Sequence, residues 1–311
     1  MTAAPETLFD RSAGARIGIT LLNLLLPGLG LIRLGHGRVG GLIAASALVA
    51  IWLLAGIAMI TPVGGFAMQG LIVVLFWLIY LLFLMFSVVL TWRYSRRDHD
   101  TAWWSRWYAI LLWWAVGMVS SIGSSGLLHM SYKPYYVASV SMAPTFSKNE
   151  KLVADMRWRK PQLGNILLVR ASDGTTRIYR VAAIGGQIFA MRHGVPIIDG
   201  HPATQQPAGE MTISDGPVVG QTGRLLREHL PGETGTHLIL QLDNGLDDVA
   251  PVHIPAGSIY LLGDDRDLAA DSRVPPSDAG VGIAPISTIA GRPLYITWSR
   301  DRSRIGQRAD H

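Results

Sequence analysis

No charged residue and no histidine stands between Arg38 and Arg93. A soluble domain has no way to hide so long an apolar stretch, so this run decides the architecture of the first half of the chain. It divides at Thr61-Pro62-Val63-Gly64-Gly65, a turn signal of proline and glycine. The two pieces, Gly40–Ile60 and Phe66–Trp92, are each long enough to cross a membrane as a helix, the hydrocarbon layer being roughly 30 Å thick. A third uncharged run, Trp107–Leu128, follows a short polar loop. A fourth, Ile17–Ile32, is short and interrupted by Pro27-Gly28-Leu29-Gly30, and reads as an interfacial or re-entrant segment rather than a full span. These runs are too many and too long for a cleavable leader, and none leads to a small-residue cleavage site.

Orientation follows from the arginines. Arg33 and Arg38 precede the first long run, and Arg93, Arg96, Arg97 and Arg106 stand between the second and third. The 61–65 turn carries no charge. The positive-inside bias therefore places the arginine loops in the cytoplasm and sends the third run outward, delivering residues 131–311 to the outer side. Trp92, Trp103, Trp104 and Trp107 cluster around the arginine loop, where an interfacial aromatic belt belongs.

Residues 1–130 hold 8 of the 27 Lys+Arg and 4 of the 22 Asp+Glu, so most of the net +5 belongs to the apolar half. That excludes a basic nucleic-acid-binding face as the source of the positive charge. Cysteine is absent, which removes disulfides, thiolate metal sites and a cysteine nucleophile.

From residue 131 the pattern changes to short runs rich in Val, Ile, Leu and Tyr: Ile166–Arg170, Arg177–Ala183, Val195–Ile198, His237–Leu242, Ser258–Leu262 and Leu294–Trp298. Asp173-Gly174, Asp199-Gly200 and Asn244-Gly245 are tight-hairpin dipeptides. The expected fold class is N-terminal transmembrane α-helices (1–130) followed by an all-β, mainly antiparallel domain (131–311), with the polar, turn-rich stretch 202–235 an insertion.

Two motifs carry chemistry. Ser139-Val140-Ser141-Met142-Ala143-Pro144-Thr145 begins a few residues beyond the last apolar run, where a serine on a proline-stiffened stretch is placed to attack a peptide emerging from the bilayer. Gly263-Asp264-Asp265-Arg266-Asp267-Leu268-Ala269-Ala270-Asp271-Ser272-Arg273 concentrates four aspartates and two arginines, a charged string that also suits a solvated loop. Together they resemble the bacterial signal peptidase I family of membrane-bound serine endopeptidases. Its nucleophile signature, Ser-x-Ser-Met-x-Pro-Thr, is met from Ser139 to Thr145, and its late signature, Gly-Asp-Asn-Arg-Asp-Asn-Ser-x-Asp-Ser-Arg, at most positions from Gly263 to Arg273. In between, Leu163–Val169, Arg180-Val181 with Ile184-Gly185-Gly186, and Val195–Pro202 resemble further family segments in order, and Gly291–Ser299 resembles the last core strand.

The resemblance implies roles. Ser141 falls on the nucleophile; its amide and the Ser139 hydroxyl fall on the oxyanion hole. Arg180, Asp264, Arg266, Asp271 and Arg273 fall on a supporting charged network, and Met142 beneath the nucleophile. The implied partners are signal peptides or preproteins of the secretion pathway and the lipid bilayer, with no nucleic acid, cofactor or metal. The implied location is the bacterial cytoplasmic membrane, multi-pass, with the C-terminal domain extracytoplasmic.

One departure bears on activity. The family's general base is a lysine, and that position is Tyr179 here; the serine that positions the lysine is Ala269. All four lysines, Lys133, Lys148, Lys151 and Lys160, precede the base segment. Arg177 and Arg180 do not deprotonate and so are not bases. A tyrosine acts as base only if its pKa is strongly depressed, which the neighbouring arginines would have to do. Four readings stand: a protease using Tyr179, a protease recruiting another base such as His193, His201, His237 or His253, a pseudoenzyme that binds secretory peptides or scaffolds a membrane complex, and a purely structural membrane protein.

Overall fold

The computed structural model describes residues 12–60, 66–96, 102–242 and 247–309. The 61–65 turn, Arg97, Asp98 and Asp100 of the arginine loop, and the Asn244-Gly245 dipeptide lie outside the described residues. The chain divides into two compact units, Met1–Met130 and Ser131–His311.

The first unit holds α1 (Ala13–Leu21), α2 (Leu29–Arg33), α3 (Gly37–Ile60), α4 (Phe66–Tyr94) and α5 (Trp107–Ser131). The last three are long and apolar enough to cross a membrane, with mean hydropathies of 2.2, 2.9 and 1.5 over Gly37–Ile57, Gly70–Tyr94 and Trp107–Ser131. The Pro27-Gly28 break separates α1 from α2. Gly28 takes φ +100°, and a methyl built on it would lie 2.2 Å from the Gly40 carbonyl oxygen, so the break needs glycine for both conformation and space. Broken backbone among apolar helices has no water to bond, and its polar groups must be satisfied internally. Buried Asn23 does this: its Oδ1 accepts from the Gly28 and Gly30 amides at 3.1 and 3.2 Å and from Ser87 Oγ at 2.6 Å, while its Nδ2 donates to Thr20 O and Thr91 Oγ1, both at 3.0 Å.

The second unit is built of antiparallel strands. Seven of them, β1 (Tyr132–Tyr136), β2 (Lys151–Asp155), β3 (Ile166–Arg170), β4 (Thr176–Ile184), β12 (Ser258–Leu262), β13 (Ala284–Pro285) and β14 (Ile289–Trp298), form a sheet ordered β1-β2-β14-β3-β4-β12-β13. A second sheet, β11-β5-β6-β7, contains β5 (Ile188–Arg192), β6 (Val195–Ile198), β7 (His201–Pro202) and β11 (Val249–His253). The third, β10-β9-β8, contains β8 (Thr204–Thr212), β9 (Thr222–His229) and β10 (His237–Gln241). The stretch 202–235, read from sequence as turn-rich, is therefore largely the β8–β9 hairpin. Its outward strand β8 is exposed nearly throughout, which is why no apolar alternation announces it. Asp199-Gly200 turns β6 into β7 with positive φ at both residues (52° and 79°), the conformation that favours this dipeptide.

The main sheet is covered on both faces, so its strands read as apolar runs rather than alternating ones. Ile166 and Leu168 of β3 pack with Met142, Phe146, Leu152 and Ile296. Leu167 and Val169 pack on the other face with Tyr179, Val181, Ile259 and Leu261. This period-2 division sets the geometry of the site.

Candidate active site

Ser139 and Ser141 lie on a turn between β1 and β2, their hydroxyl oxygens 2.9 Å apart. Ala143 N donates to Val140 O at 2.8 Å and Phe146 N to Met142 O at 2.9 Å, so the turn closes on itself. Met142 and Phe146, each 1% exposed, anchor it in the core. Its far end is tied down twice: Thr145 Oγ1 donates to Asp264, and Arg304, itself bonded to buried Glu150, donates to Thr145 O at 2.7 Å.

The charged string 263–273 is not a solvated loop. It folds against the serine turn, and Asp265 N donates to Ser141 O at 3.1 Å. Asp264, Asp265, Arg266 and Asp271 are all at most 3% exposed. Each buried arginine is matched. Arg180 grips Asp264 through Nε and Nη2 at 2.8 and 2.7 Å and donates to Gly164 O at 2.7 Å. Arg273 holds Asp271 at 2.9 and 2.8 Å and donates to Arg266 O at 2.6 Å, while Asp271 also accepts from Gly263 N at 2.9 Å. Arg266 bonds both carboxylate oxygens of Glu228. His237 sits between Glu228 and Glu233, at 3.2 and 3.0 Å. Burial alone would raise the Glu228 carboxyl, but Arg266 and His237 outweigh it and hold it at about 2. Burial pushes Asp264 up too, and Arg180 reverses the shift to a net lowering. The five network residues read from sequence, Arg180, Asp264, Arg266, Asp271 and Arg273, are thus brought together. Thr145, the last residue of the serine motif, and His237, read from sequence as a candidate base, join the network, and Glu228 and Glu233, which carry no signal in the sequence spacing, complete it.

Tyr179 and Ser141 meet the same loop, Tyr179 through Ala270 O and Ser141 through the Asp265 amide. Leu261 of β12 shares the core cluster of Tyr179, and Gly263 follows the end of that strand. A methyl built on Gly263 would fall 2.2 Å from the Ala269 Cβ and 2.6 Å from the Ser141 carbonyl oxygen. Tyr179 is 2% exposed, and its hydroxyl donates to Ala270 O at 2.6 Å.

The depressed tyrosine that a tyrosinate base requires is not what this environment makes. Burial raises the Tyr179 pKa; Arg177 alone among the neighbouring arginines pulls it down, and the net direction is up. Arg180 is no help because alternation along β4 sends it to the opposite face, where Asp264 holds it. His237 is also engaged: burial and Arg180 lower its pKa, but bonds to Glu228 and Glu233 reverse this and leave it raised. His201 and His253 lie on the β11-β5-β6-β7 sheet, and His193 in the turn joining β5 to β6.

Asp265, in the family's asparagine position, was read from sequence only as part of the charged string. It is fully buried, its Oδ1 accepts from Asp267 N and Leu268 N at 3.3 and 3.1 Å, and its Oδ2 has no hydrogen-bond partner. Burial pushes its carboxyl up to about 6.

The chain thus joins three helices long and apolar enough to cross a membrane to a β domain whose serine turn is docked on an internally paired acidic–basic loop. A family model described as "Signal peptidase, peptidase S26" matches residues 107–298. The chain belongs to that family. It is similar to a probable signal peptidase I-1 of Synechocystis sp., 25% identical over 175 residues that cover 52% of this chain and 69% of the relative. It also matches a crystal structure of a signal peptidase I from Enterococcus faecalis, with 16% identity and a TM-score of 0.24, covering 43% of this chain and 96% of the other.

Proposed function

We propose that this chain is a signal peptidase I-type serine endopeptidase. It removes signal peptides from exported proteins at the outer face of the cytoplasmic membrane, with Ser141 as nucleophile. The observation that carries this is the docking of the Ser139–Ser141 turn, through the Asp265 amide, onto the loop that also receives Tyr179. An extended peptide end lies beside exposed strand and presents small side chains to the site, backbone pairing giving affinity and pocket size giving specificity. Ser141 Oγ attacks the scissile carbonyl, and the developing oxyanion is met by the Ser141 amide and the Ser139 hydroxyl. A donor of this kind is worth about 10²–10³ in kcat.

The proton of Ser141 has no basic side chain to receive it among the described hydrogen bonds, where its Oγ meets only Ser139 Oγ. Transfer to solvent then sets the rate. This supports slow cleavage whose rate climbs with pH without the plateau that a titrating lysine produces. The test is cleavage of a preprotein by the purified full chain across pH 6–10, followed by mass, with Ser141→Ala as control. Equal rates for wild type and Ser141→Ala refute the nucleophile.

A second reading is favoured by a specific observation. Tyr179 fills the base position as a buried neutral phenol donating to Ala270 O, which suits a domain that captures secretory peptides without cutting them. Binding of an uncut signal peptide, with no product at any pH, supports that reading.

A further inference from the structure

Among the described residues of the helical unit stand six arginines, Arg16, Arg33, Arg38, Arg93, Arg96 and Arg106, and no aspartate or glutamate. Glu6, Asp10, Asp98 and Asp100 lie outside the described residues. The arginines gather at one end of the helices. Arg38 is in the first turn of α3, Arg93 in the last turn of α4, and Arg106 just before α5. Arg33 Nη1 donates to Ser105 O at 3.0 Å, the His36 ring lies 4.6 Å from Tyr94, and a methyl on Gly37 would meet the Trp104 ring at 2.5 Å. None of the six takes part in an ion pair among the described residues.

Arg16 is held more firmly than a loop arginine. Its guanidinium stacks on Trp92, with Cζ 4.2 Å from the ring centroid, and its Nε donates to Ser95 Oγ at 3.0 Å. Ser95 is itself buried and donates to Trp92 O at 2.8 Å. Of the two remaining nitrogens, Nη2 is shielded from solvent and has no hydrogen-bond partner. A charged donor fixed in place and left unsatisfied is costly, and a charged acceptor relieves it. Beside it, Ile17 and Leu21 of α1 and Phe86 and Val89 of α4 are each about half exposed, an apolar surface next to the cationic one.

We propose that Arg16, Trp92 and Ser95, with Arg93 and Arg96 close by in sequence, form a headgroup site for an anionic phospholipid. The phosphate pairs with the Arg16 guanidinium, and the acyl chains lie along the apolar surface of α1 and α4. A free anion would use the guanidinium and leave that surface bare. A zwitterionic lipid offers the same phosphate but brings its own cation to a site already crowded with arginines. The site does not depend on whether Ser141 is active.

The test uses the full chain, stripped of lipid in a neutral detergent, and titrates phosphatidylglycerol, phosphatidylcholine or inorganic phosphate. Bound lipid is counted by native mass spectrometry and the unfolding midpoint is followed. Phosphatidylglycerol is expected to be retained and to raise the midpoint, phosphatidylcholine to do so several-fold more weakly, and millimolar phosphate not to displace the lipid. Arg16→Gln should weaken phosphatidylglycerol retention roughly tenfold, the worth of one charge-assisted bond. Arg16→Lys, which keeps the charge and loses the fork, should fall between, and Arg38→Gln should change little. Equal retention of the two lipids, full displacement by phosphate, or unchanged retention by Arg16→Gln overturns the proposal. The wild-type comparisons decide it even if Arg16→Gln does not fold.

Discussion

Changing Tyr179 to lysine and Ala269 to serine together restores the two groups the proposed mechanism lacks. Tyr179 is 2% exposed and its hydroxyl lies 2.6 Å from Ala270 O, so a lysine of similar length places its nitrogen beside the same carbonyl. Burial lowers an amine's pKa, by up to about 3–5 units when complete, and the cation of Arg177 acts in the same sense. A lysine in that slot is therefore neutral near pH 7, as a general base must be. Serine at 269 adds a hydroxyl to a Cβ that already lies near Gly263 and the Ser141 carbonyl. General-base catalysis is worth about 10²–10⁴ in rate. Coupling between contacting residues runs to about 0.5–3 kcal/mol, or roughly 2- to 150-fold beyond the product of the single changes. The assay is cleavage of a preprotein with small residues at its processing site, by full-length protein in liposomes, with Ser141→Ala in every background. The reasoning fails if Tyr179→Lys alone recovers as much as the pair. It also fails if wild type already cleaves at the double mutant's rate.

Asp265→Asn should stabilise the protein at neutral pH. The Asp265 carboxyl titrates near 6 in the fold against 3.8 when unperturbed, so its protonated form contributes stability that is full below about 3.8 and lost as pH rises through about 6. The loss has an upper bound of about 3 kcal/mol at 1.36 kcal/mol per unit, and thermal unfolding of wild type and variant between pH 4 and 8 measures it. Asp264→Asn leaves Arg180 buried without its partner and should cost about 3–5 kcal/mol, read from the unfolding midpoint; a change below 1 kcal/mol removes the pair from any structural role. Gly28→Ala should destabilise the helical unit by about 1–3 kcal/mol through overpacking against Gly40, and unchanged thermal stability in detergent would contradict the close approach.

The main-sheet strands were legible because burial on both faces makes them apolar runs: β3 and β12 have the limits read from sequence. The β8 strand was not, since exposed polar residues hold it by backbone pairing to β9 alone. In the site, Asp264, Arg266, Asp271 and Arg273 were visible because they share one short loop. Their partners were not, since Glu228 lies 38 positions from Arg266 and only the β9–β10 pairing brings it there. Sequence adjacency misled at Arg180, which strand alternation places on the face opposite Tyr179. Asp265 looked like one more solvated charge until its burial and its unpartnered oxygen were seen.

The balance of buried charge explains why the base position and Asp265 belong to one account. Arg180, Arg266, Arg273 and His237 are matched by Asp264, Glu228, Asp271 and Glu233. That set is closed: every cation has a carboxylate and every carboxylate a cation. A fifth anion is disfavoured in such a site, and burial pushes the Asp265 carboxyl up to about 6. A further cation is likewise disfavoured, so a lysine at 179 would be held neutral and basic, and a tyrosine there stays neutral but is no base. The network that keeps the serine turn in place is therefore expected to tolerate either residue at 179, with the Arg180–Asp264 and Arg273–Asp271 pairs unchanged.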